Sequence, residues 1–354
     1  MKKRIPRILL AAGASGSGKT LLTCGLLQVL VNSGKKTVSF KCGPDYIDPM
    51  FHTQVIGTRS RNLDTFFTGE ELTRHLLIKN SADCEIAVME GVMGFYDGVA
   101  GTTTQASAYD LARITDTPVI LIVNSKGMSV SLAAYIKGFL EYKKDSHIKG
   151  VIFNQMSPML YPRMKMLVEE ELGIKVLGYV PRVEDCVIES RHLGLVLPEE
   201  IPELKERLQK LAQVLEDSLE IQEILKLAKE APAVEYKEEE DSGFNWRSSK
   251  KLRIGLARDE AFCFFYEDNL DLLRRMGAEL VPFSPIHDRH LPEQMDGLLL
   301  YGGYPELNGK ALEENISMRQ EIAEAIKKGM PCLAECGGFM YLHTTMEDMD
   351  GKAW

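Results

Sequence analysis

Residues 13 to 20 read Gly13-Ala14-Ser15-Gly16-Ser17-Gly18-Lys19-Thr20, and they follow an apolar run, Ile8 to Ala12. The run predicts a buried strand, and the apolar spacing of Leu21 to Val31 predicts a helix after the loop. Strand, G-x-x-x-x-G-K-[ST] loop and helix, in that order, constrain fold and chemistry together. The loop's backbone N–H groups can wrap a β-phosphate, Lys19 can reach the β- and γ-phosphates, and Thr20 can place a hydroxyl on Mg²⁺. All eight loop residues are therefore candidates for binding ATP. A merely flexible loop is the competing reading, and the flanking strand and helix count against it.

At 354 residues the chain has room for about two domains, each with its own core. A hydrophobic share of 45% with 26% charged residues is ordinary for a soluble globular protein. The net charge of −9 gives no support to nucleic-acid binding. Met1-Lys2-Lys3-Arg4 is basic, but the apolar stretch behind it is short and runs straight into the phosphate loop, so a cleaved leader is not expected. No stretch approaches the roughly 20 apolar residues of a membrane span. Seven cysteines without a C-x-x-C pair point to reduced thiols in the cytoplasm rather than a disulfide frame or zinc site. The expected partners are small molecules, with neither nucleic acid nor membrane, and a homodimer is left open.

Apolar β-rich runs then alternate with helical patterns. Strands are predicted at Lys36–Lys41, Glu85–Glu90, Pro118–Val123, Gly150–Asn154 and Lys175–Val180, and helices at Ser129–Tyr142 and Tyr161–Leu172. Such alternation implies βαβ units and a parallel sheet. Ile201 to Lys229 reads as a charged amphipathic helix or helix pair. Ala231 to Lys251, with Pro232, the run Glu238-Glu239-Glu240-Asp241 and Ser242-Gly243, has the composition of a linker. The rhythm then restarts with strands Leu252–Ala257, Glu279–Phe283, Gly297–Leu300 and Pro331–Ala334 and helices Glu267–Met276 and Ala311–Lys328. The expected domains are 1–230, a linker 231–251, and 252–354, both domains α/β.

Acidic loops follow the phosphate loop at predicted strand ends, where open α/β sheets bind ligands. Lys41-Cys42-Gly43-Pro44-Asp45-Tyr46-Ile47-Asp48-Pro49 holds two carboxylates braced between prolines, one able to meet a metal and the other a substrate. In Ala87-Val88-Met89-Glu90-Gly91, an apolar strand ends in an acid, the arrangement that delivers a carboxylate to Mg²⁺ beside phosphates. Glu90 is the metal-ligand candidate. Asp97, further along that loop, is read as facing metal, substrate or only its own backbone. Arg191-His192 offers two cation-capable side chains, and a surface pair of this kind is usually solvated. In the second half, Cys336 in Ala334-Glu335-Cys336-Gly337-Gly338 sits on a strand-to-helix turn, where a nucleophile is exposed and a helix N-terminus favours a thiolate. Gly302 and Gly303, upstream in Tyr301-Gly302-Gly303-Tyr304-Pro305-Glu306, can supply an oxyanion hole. His343, the only histidine after Cys336, lies too far along the same element to serve easily as its base.

Taken together, GASGSGKT, KCGPDYIDP, EGVMGFYDG, RHLGL, ARDEAFCFFY (Ala257 to Tyr266), GGYPE and AECGGFMYL resemble the cobyrinic acid a,c-diamide synthases, glutamine-dependent amidotransferases of cobalamin biosynthesis, over essentially the whole chain. The resemblance implies a P-loop synthetase domain similar to dethiobiotin synthetase, followed by a class I glutaminase domain. It implies ATP-dependent, Mg²⁺-assisted amidation of the a- and c-acetate carboxylates of cobyrinic acid or a related tetrapyrrole, with glutamine or free ammonia as nitrogen donor. On this footing Thr20 and Glu90, with Asp45 as a third, would hold the metal, and Lys19 and Lys41 would supply positive charge at the γ-phosphate or carboxylate. Asp45, Tyr46, Ile47, Asp48 and Asp97 would face the tetrapyrrole, Arg191 and His192 would meet its carboxylates, and Cys336 would attack glutamine. The histidine that activates the cysteine in this family lies well downstream, and this chain ends at Trp354, 18 residues after Cys336. The expectation is therefore an incomplete glutaminase sheet with an exposed edge, impaired glutaminase activity and ammonia-driven synthesis. Nickel-sirohydrochlorin and hydrogenobyrinic acid synthases share nearly every motif, so the macrocycle's metal and the order of amidation stay open. Of the readings from another class, a partitioning or metal-insertion ATPase does not account for Cys336 or GGYPE, whereas a non-catalytic tetrapyrrole-binding remnant stays open.

Overall fold

A computed structural model describes residues 1–183, 201–237 and 251–354. Arg191 and His192 lie outside the described residues. Two compact units divide the chain, Met1–Glu239 and Glu240–Trp354.

The first unit is built on seven parallel strands. In chain order these are β1 (Arg7–Ala12), β2 (Thr37–Cys42), β3 (Arg59–Leu63), β4 (Ile86–Glu90), β5 (Val119–Asn124), β6 (Ile148–Asn154) and β7 (Lys175–Val180). Their order across the sheet is β3-β2-β4-β1-β5-β6-β7. Every residue of β1 is buried, as expected of a central parallel strand covered on both faces. The pleat sends its alternate residues to opposite cores. Leu9 and Ala11 join a core that includes Leu111, Leu132, Ile136 and Val168, whereas Ile8, Leu10 and Ala12 join one that includes Leu22, Leu26, Leu208 and Leu211. Each leucine or isoleucine withdrawn fully from water contributes about 1.5–3 kcal/mol before the entropy of ordering the chain is counted.

Helices α1 (Lys19–Asn32), α2 (Ile47–Phe51), α3 (Thr65–Asn80), α4 (Ala108–Thr115), α5 (Ser131–Tyr142) and α6 (Tyr161–Leu172) lie between strands. The charged segment forms two helices, α7 (Ile201–Ser218) and α8 (Ile221–Lys229). Within the stretch of linker-like composition, Val234 is buried and pairs antiparallel with Lys3. Strand β3 was not anticipated because Arg-Ser-Arg-Asn-Leu carries no apolar alternation. It is an edge strand held by register to β2, with Ser60 opposite Ser39. Asp64 then caps α3, accepting from the N–H groups of Phe66 and Phe67.

The second unit carries a four-stranded parallel sheet, ordered β9-β8-β10-β11 from β8 (Arg253–Ala257), β9 (Glu279–Phe283), β10 (Gly297–Leu300) and β11 (Cys332–Ala334). Its helices are α9 (Glu267–Arg275), α10 (Gly309–Glu314), α11 (Ile316–Lys327) and α12 (Gly337–Tyr341). The single helix expected over Ala311–Lys328 is in fact α10 and α11. Asn315 breaks it, because its amide nitrogen donates to the carbonyls of Pro285 (2.8 Å) and Asp288 (2.7 Å) while its side-chain oxygen caps α11.

Candidate active sites

The phosphate loop spans the turn from β1 into α1. Gly18 adopts φ +90°, and a Cβ there would lie 2.3 Å from the Asn154 amide nitrogen, which donates to the Ser17 carbonyl at 2.9 Å. Both backbone conformation and space therefore demand glycine. Lys19 is buried and crosses the loop mouth, donating to the carbonyls of Ala14 (3.0 Å) and Met93 (2.5 Å). Burial lowers its pKa, with the Lys41 ammonium adding to the effect.

Parallel pairing puts Lys41 of β2 in register with Glu90 of β4, two residues 49 apart in sequence. The Lys41 ammonium donates to Glu90 Oε1 at 2.8 Å and to Asp48 Oδ2, with Asp45 Oδ2 at 3.9 Å. Thr20 donates its hydroxyl to the same Glu90 Oε1 at 2.6 Å. Burial alone would lower the Lys41 pKa, but the Glu90 and Asp48 carboxylates outweigh it and hold the ammonium above the ordinary lysine value. Burial raises both Asp48, where Glu90 adds to the effect, and Asp45, where Asp48 does. Three carboxylates share one ammonium, which leaves this cluster two negative charges in excess.

The remaining members of the acidic loops sit around this cluster. Asp45 Oδ1 accepts the Ile47 N–H at 2.7 Å, and Asn62 at the end of β3 braces the turn by donating to the carbonyls of Gly43 (2.9 Å) and Asp45 (2.6 Å). Tyr46 and Ile47 are half-buried at the start of α2. Asp97 is exposed and takes the Gly94 N–H on Oδ2 at 3.0 Å, so in this structure it secures its own loop. A Cβ on Gly94 would come within 2.3 Å of that oxygen and 2.7 Å of the Gly13 carbonyl, so this turn packs directly on the phosphate loop.

Beneath Glu90 lies a residue that sequence reading missed. His52 opens a single π-helical turn, His52–Ile56, and its ring is fully buried. Nδ1 lies 3.1 Å from Ser39 Oγ, and Ser39 is hydrogen-bonded to Ser60 at 2.8 Å. Nε2 faces Glu90 Oε2 at 3.7 Å, and neither atom has a hydrogen-bond partner among the described residues. Burial pushes the imidazole down to about 4, which keeps it neutral at pH 7. Asn62 and Asn154 were also missed, although both are polar residues at C-terminal strand ends, the position where open sheets bind ligands.

Whether a magnesium ion suits this place is decided by Glu90. One of its buried oxygens has no hydrogen-bond partner, the other meets Thr20, and three carboxylates against the ammoniums of Lys41 and Lys19 leave the surroundings net negative. Those features fit a hard divalent cation. Among the described residues no three His, Cys, Asp or Glu side chains form a complete cage, as expected where phosphates and water supply the other ligands.

In the second unit Cys336 joins β11 to α12 with φ 48° and ψ −115°, a conformation that costs a non-glycine residue about 1–3 kcal/mol and clusters at functional sites. The thiol residue is exposed. Gly302 lies against it, since a Cβ on that glycine would be 3.5 Å from Cys336 Sγ. Gly303 is wedged so that a Cβ would sit 2.1 Å from the Ala261 carbonyl. The fold therefore brings together the cysteine and the glycine pair. The His343 ring, just past the end of α12, turns back on that helix, Nδ1 2.9 Å from the Phe339 carbonyl. Among the described residues no imidazole hydrogen-bonds the thiol.

Comparison with known proteins finds matches for both units. Residues 8–195 match the CobQ/CobB/MinD/ParA nucleotide binding domain, and residues 253–353 match the CobB/CobQ-like glutamine amidotransferase domain. The cobyrinate a,c-diamide synthase of Caldanaerobacter subterraneus subsp. tengcongensis is 41% identical over 351 residues, 98% of this chain and 76% of that protein. That of Priestia megaterium is 41% identical, covering 95% of this chain and 72% of the relative. Among solved structures, MinD of Aquifex aeolicus aligns with a TM-score of 0.37 at 16% identity, covering 65% of this chain and 99% of that one. A nucleotide-binding unit followed by a glutamine amidotransferase unit, with identity of this order along nearly the whole sequence, places the chain in the cobyrinate a,c-diamide synthase family.

Proposed function

We propose that this protein amidates the a- and c-acetate carboxylates of cobyrinic acid, or of a closely related tetrapyrrole, in the cytoplasm at the expense of ATP. The observation that carries the reading is the 2.6 Å contact between Thr20 and Glu90, which ties the phosphate loop to the acid ending β4. An acetate does not react with ammonia at neutral pH, because its oxygen is too poor a leaving group. Transfer of the γ-phosphoryl group to a carboxylate oxygen, with ADP departing, makes an acyl phosphate. Ammonia then forms the C–N bond as phosphate leaves.

The loop amides and the Lys19 ammonium meet the charge on the transferring phosphoryl group, in a site dry enough to strengthen each interaction. Lys19 would exchange its bonds to Ala14 and Met93 for phosphate oxygens. Thr20 and Glu90, with Asp45 beside them, would hold Mg²⁺, which supplies Lewis-acid neutralisation of phosphate charge when bound. Lys41 keeps Asp48 and Glu90 in place. Tyr46, Ile47, Asp97 and, outside the described residues, Arg191 and His192 are the proposed contacts to the macrocycle and its carboxylates. At the second site Cys336 Sγ attacks the side-chain amide carbon of glutamine and ammonia leaves; water then hydrolyses the glutamyl thioester to glutamate. Gly302 and Gly303 flank the oxyanion of that step.

The test is ATP-dependent amidation by the 354-residue chain, supplied with cobyrinic acid, hydrogenobyrinic acid or nickel-sirohydrochlorin and with ammonium chloride or glutamine, read by mass spectrometry. A mass change of two amidations on one macrocycle supports the reading and selects the substrate. No product from any macrocycle with either nitrogen source refutes it.

A further inference from the structure

A groove of about 480 Å³ opens between α3 and α4, lined by Thr65, Gly69, Glu70, Gln105, Asp110 and Arg113 among others. Both acidic loops lead to it. Thr65 follows shortly after Asn62, which braces the Asp45 turn, and the loop carrying Asp97 folds back so that the Val99 N–H donates to the Gln105 carbonyl at 3.0 Å. Arg113 is held in the groove by one nitrogen. Its Nη2 donates to Asp110 Oδ1 at 2.9 Å and to Glu70 Oε1 at 3.0 Å. Asp110 is fixed in turn, accepting the Ala106 N–H (3.0 Å) and the Thr65 hydroxyl (3.3 Å) on Oδ2. The N–H groups on Arg113 Nε and Nη1 have no partner among the described residues.

Between Thr65 and Gly69 in sequence, Phe66 and Phe67 stand 56% and 73% exposed, their rings edge to face with centroids 5.2 Å apart. Two adjacent exposed phenylalanines at the ligand-binding end of a parallel sheet are an apolar patch in search of cover. Gly69, at φ 64°, breaks α3 behind them, and the Thr68 hydroxyl holds the turn through the Asp64 carbonyl (2.7 Å) and Thr73 (2.6 Å). We propose that the groove and this turn form a subsite for the rim of the tetrapyrrole. Arg113 takes a carboxylate side chain that is not amidated, and the phenyl rings meet the apolar macrocycle. The inference rests on the reading that a tetrapyrrole polyacid is the substrate.

Charge balance explains how a carboxylate enters. Glu70 is half-exposed and its Oε2 also accepts from Arg74 at 3.1 Å. A ligand carboxylate can therefore replace Glu70 on Arg113 while Glu70 keeps Arg74, and the charge facing the guanidinium is unchanged. Its planar fork suits a carboxylate geometrically.

Three variants test this with ammonium chloride as nitrogen source, saturating ATP, and the macrocycle that the wild-type chain amidates. Arg113→Gln gives up half-exposed ion pairs that carry little stability. It should raise KM for the macrocycle by about 10- to 100-fold, with kcat and KM for ATP unchanged, as expected for a contact made equally in ground and transition states. Phe67→Ala should raise the same KM by about 3- to 10-fold. Glu70→Gln removes the competing carboxylate and should lower it. Were Arg113 only a structural ion pair, Arg113→Gln and Glu70→Gln would act in the same direction. A macrocycle KM unchanged in Arg113→Gln or Phe67→Ala, or not lowered by Glu70→Gln, overturns the proposal. If the wild-type chain amidates no macrocycle and binds none in equilibrium dialysis, the functional reading fails and the subsite with it. Turnover by wild type with unchanged KM in the variants refutes the subsite alone.

Discussion

The two candidate sites are built by opposite means. In the first unit the chemistry-bearing side chains are withdrawn from water, with Lys41, Asp48, His52 and Glu90 all buried and held by one another. In the second unit the candidate nucleophile is exposed, and what defines its place is backbone: a cysteine at positive φ on a turn packed by glycines. Phosphoryl transfer needs charges preorganised in a poorly solvated place, where each interaction is strong and no dipole must reorient during reaction. A thiol carries its own nucleophilicity and needs access and direction. Burial of charge makes the first site costly to disturb, whereas the second depends on one atom and the turn beneath it.

The sharpest break in that contrast is Lys41→Met. Removing the ammonium strands Asp48 and Glu90 in the interior, and loss of one partner from a buried ion pair costs about 3–5 kcal/mol, readable as a lowered urea midpoint at unchanged slope for the first unit. Next is Lys19→Ala, which removes a preorganised charge from the transferring phosphoryl group; a fall in amidation rate of about 10²- to 10³-fold is expected, measured under saturating ammonium chloride with the fold unchanged by circular dichroism.

Acid should weaken the metal-free and nucleotide-free protein through His52. Its folded pKa is depressed from 6.5 to about 4, so the unfolded chain binds the proton first, and stability present above pH 6.5 is lost as pH falls toward 4. The shift is worth on the order of 3 kcal/mol, and the difference between wild type and His52→Gln in denaturant unfolding at pH 7 and pH 4.5 isolates it from the buried carboxylates. Their raised pKa values act in the opposite sense. The smallest effect sharpens the comparison most: Cys336→Ala should leave ammonia-driven amidation within about twofold of wild type, because free ammonia bypasses the thiol and truncating an exposed side chain is usually nearly neutral to the fold, while removing covalent labelling by an electrophilic glutamine analogue. A large fall in the ammonia-driven rate would show that the thiol turn supports the synthetase chemistry.

Much of the first site was legible before any fold was seen. Glycines at fixed spacing, a lysine and a threonine define a phosphate loop because only that backbone can approach phosphates, and Glu90 stood out as an acid ending an apolar strand. Asn62 was not legible, since β3 lacks the alternation that announces a strand. His52 was not legible either, because a histidine in a short irregular helix gives no periodic signal.

By itself the sequence determined the alternation of strands and helices, the phosphate loop, the acids at strand ends and the cysteine turn, all set by local spacing and backbone preference. Only the tertiary structure decided that Lys41 neutralises Glu90 and Asp48, that Asn154 holds Ser17, and that His52 stands beneath Glu90. Parallel register sets Lys41 beside Glu90, and packing of loops and helical turns against the strand ends brings Asn154 to Ser17 and His52 to Glu90; no local pattern encodes which strand or turn will lie beside which.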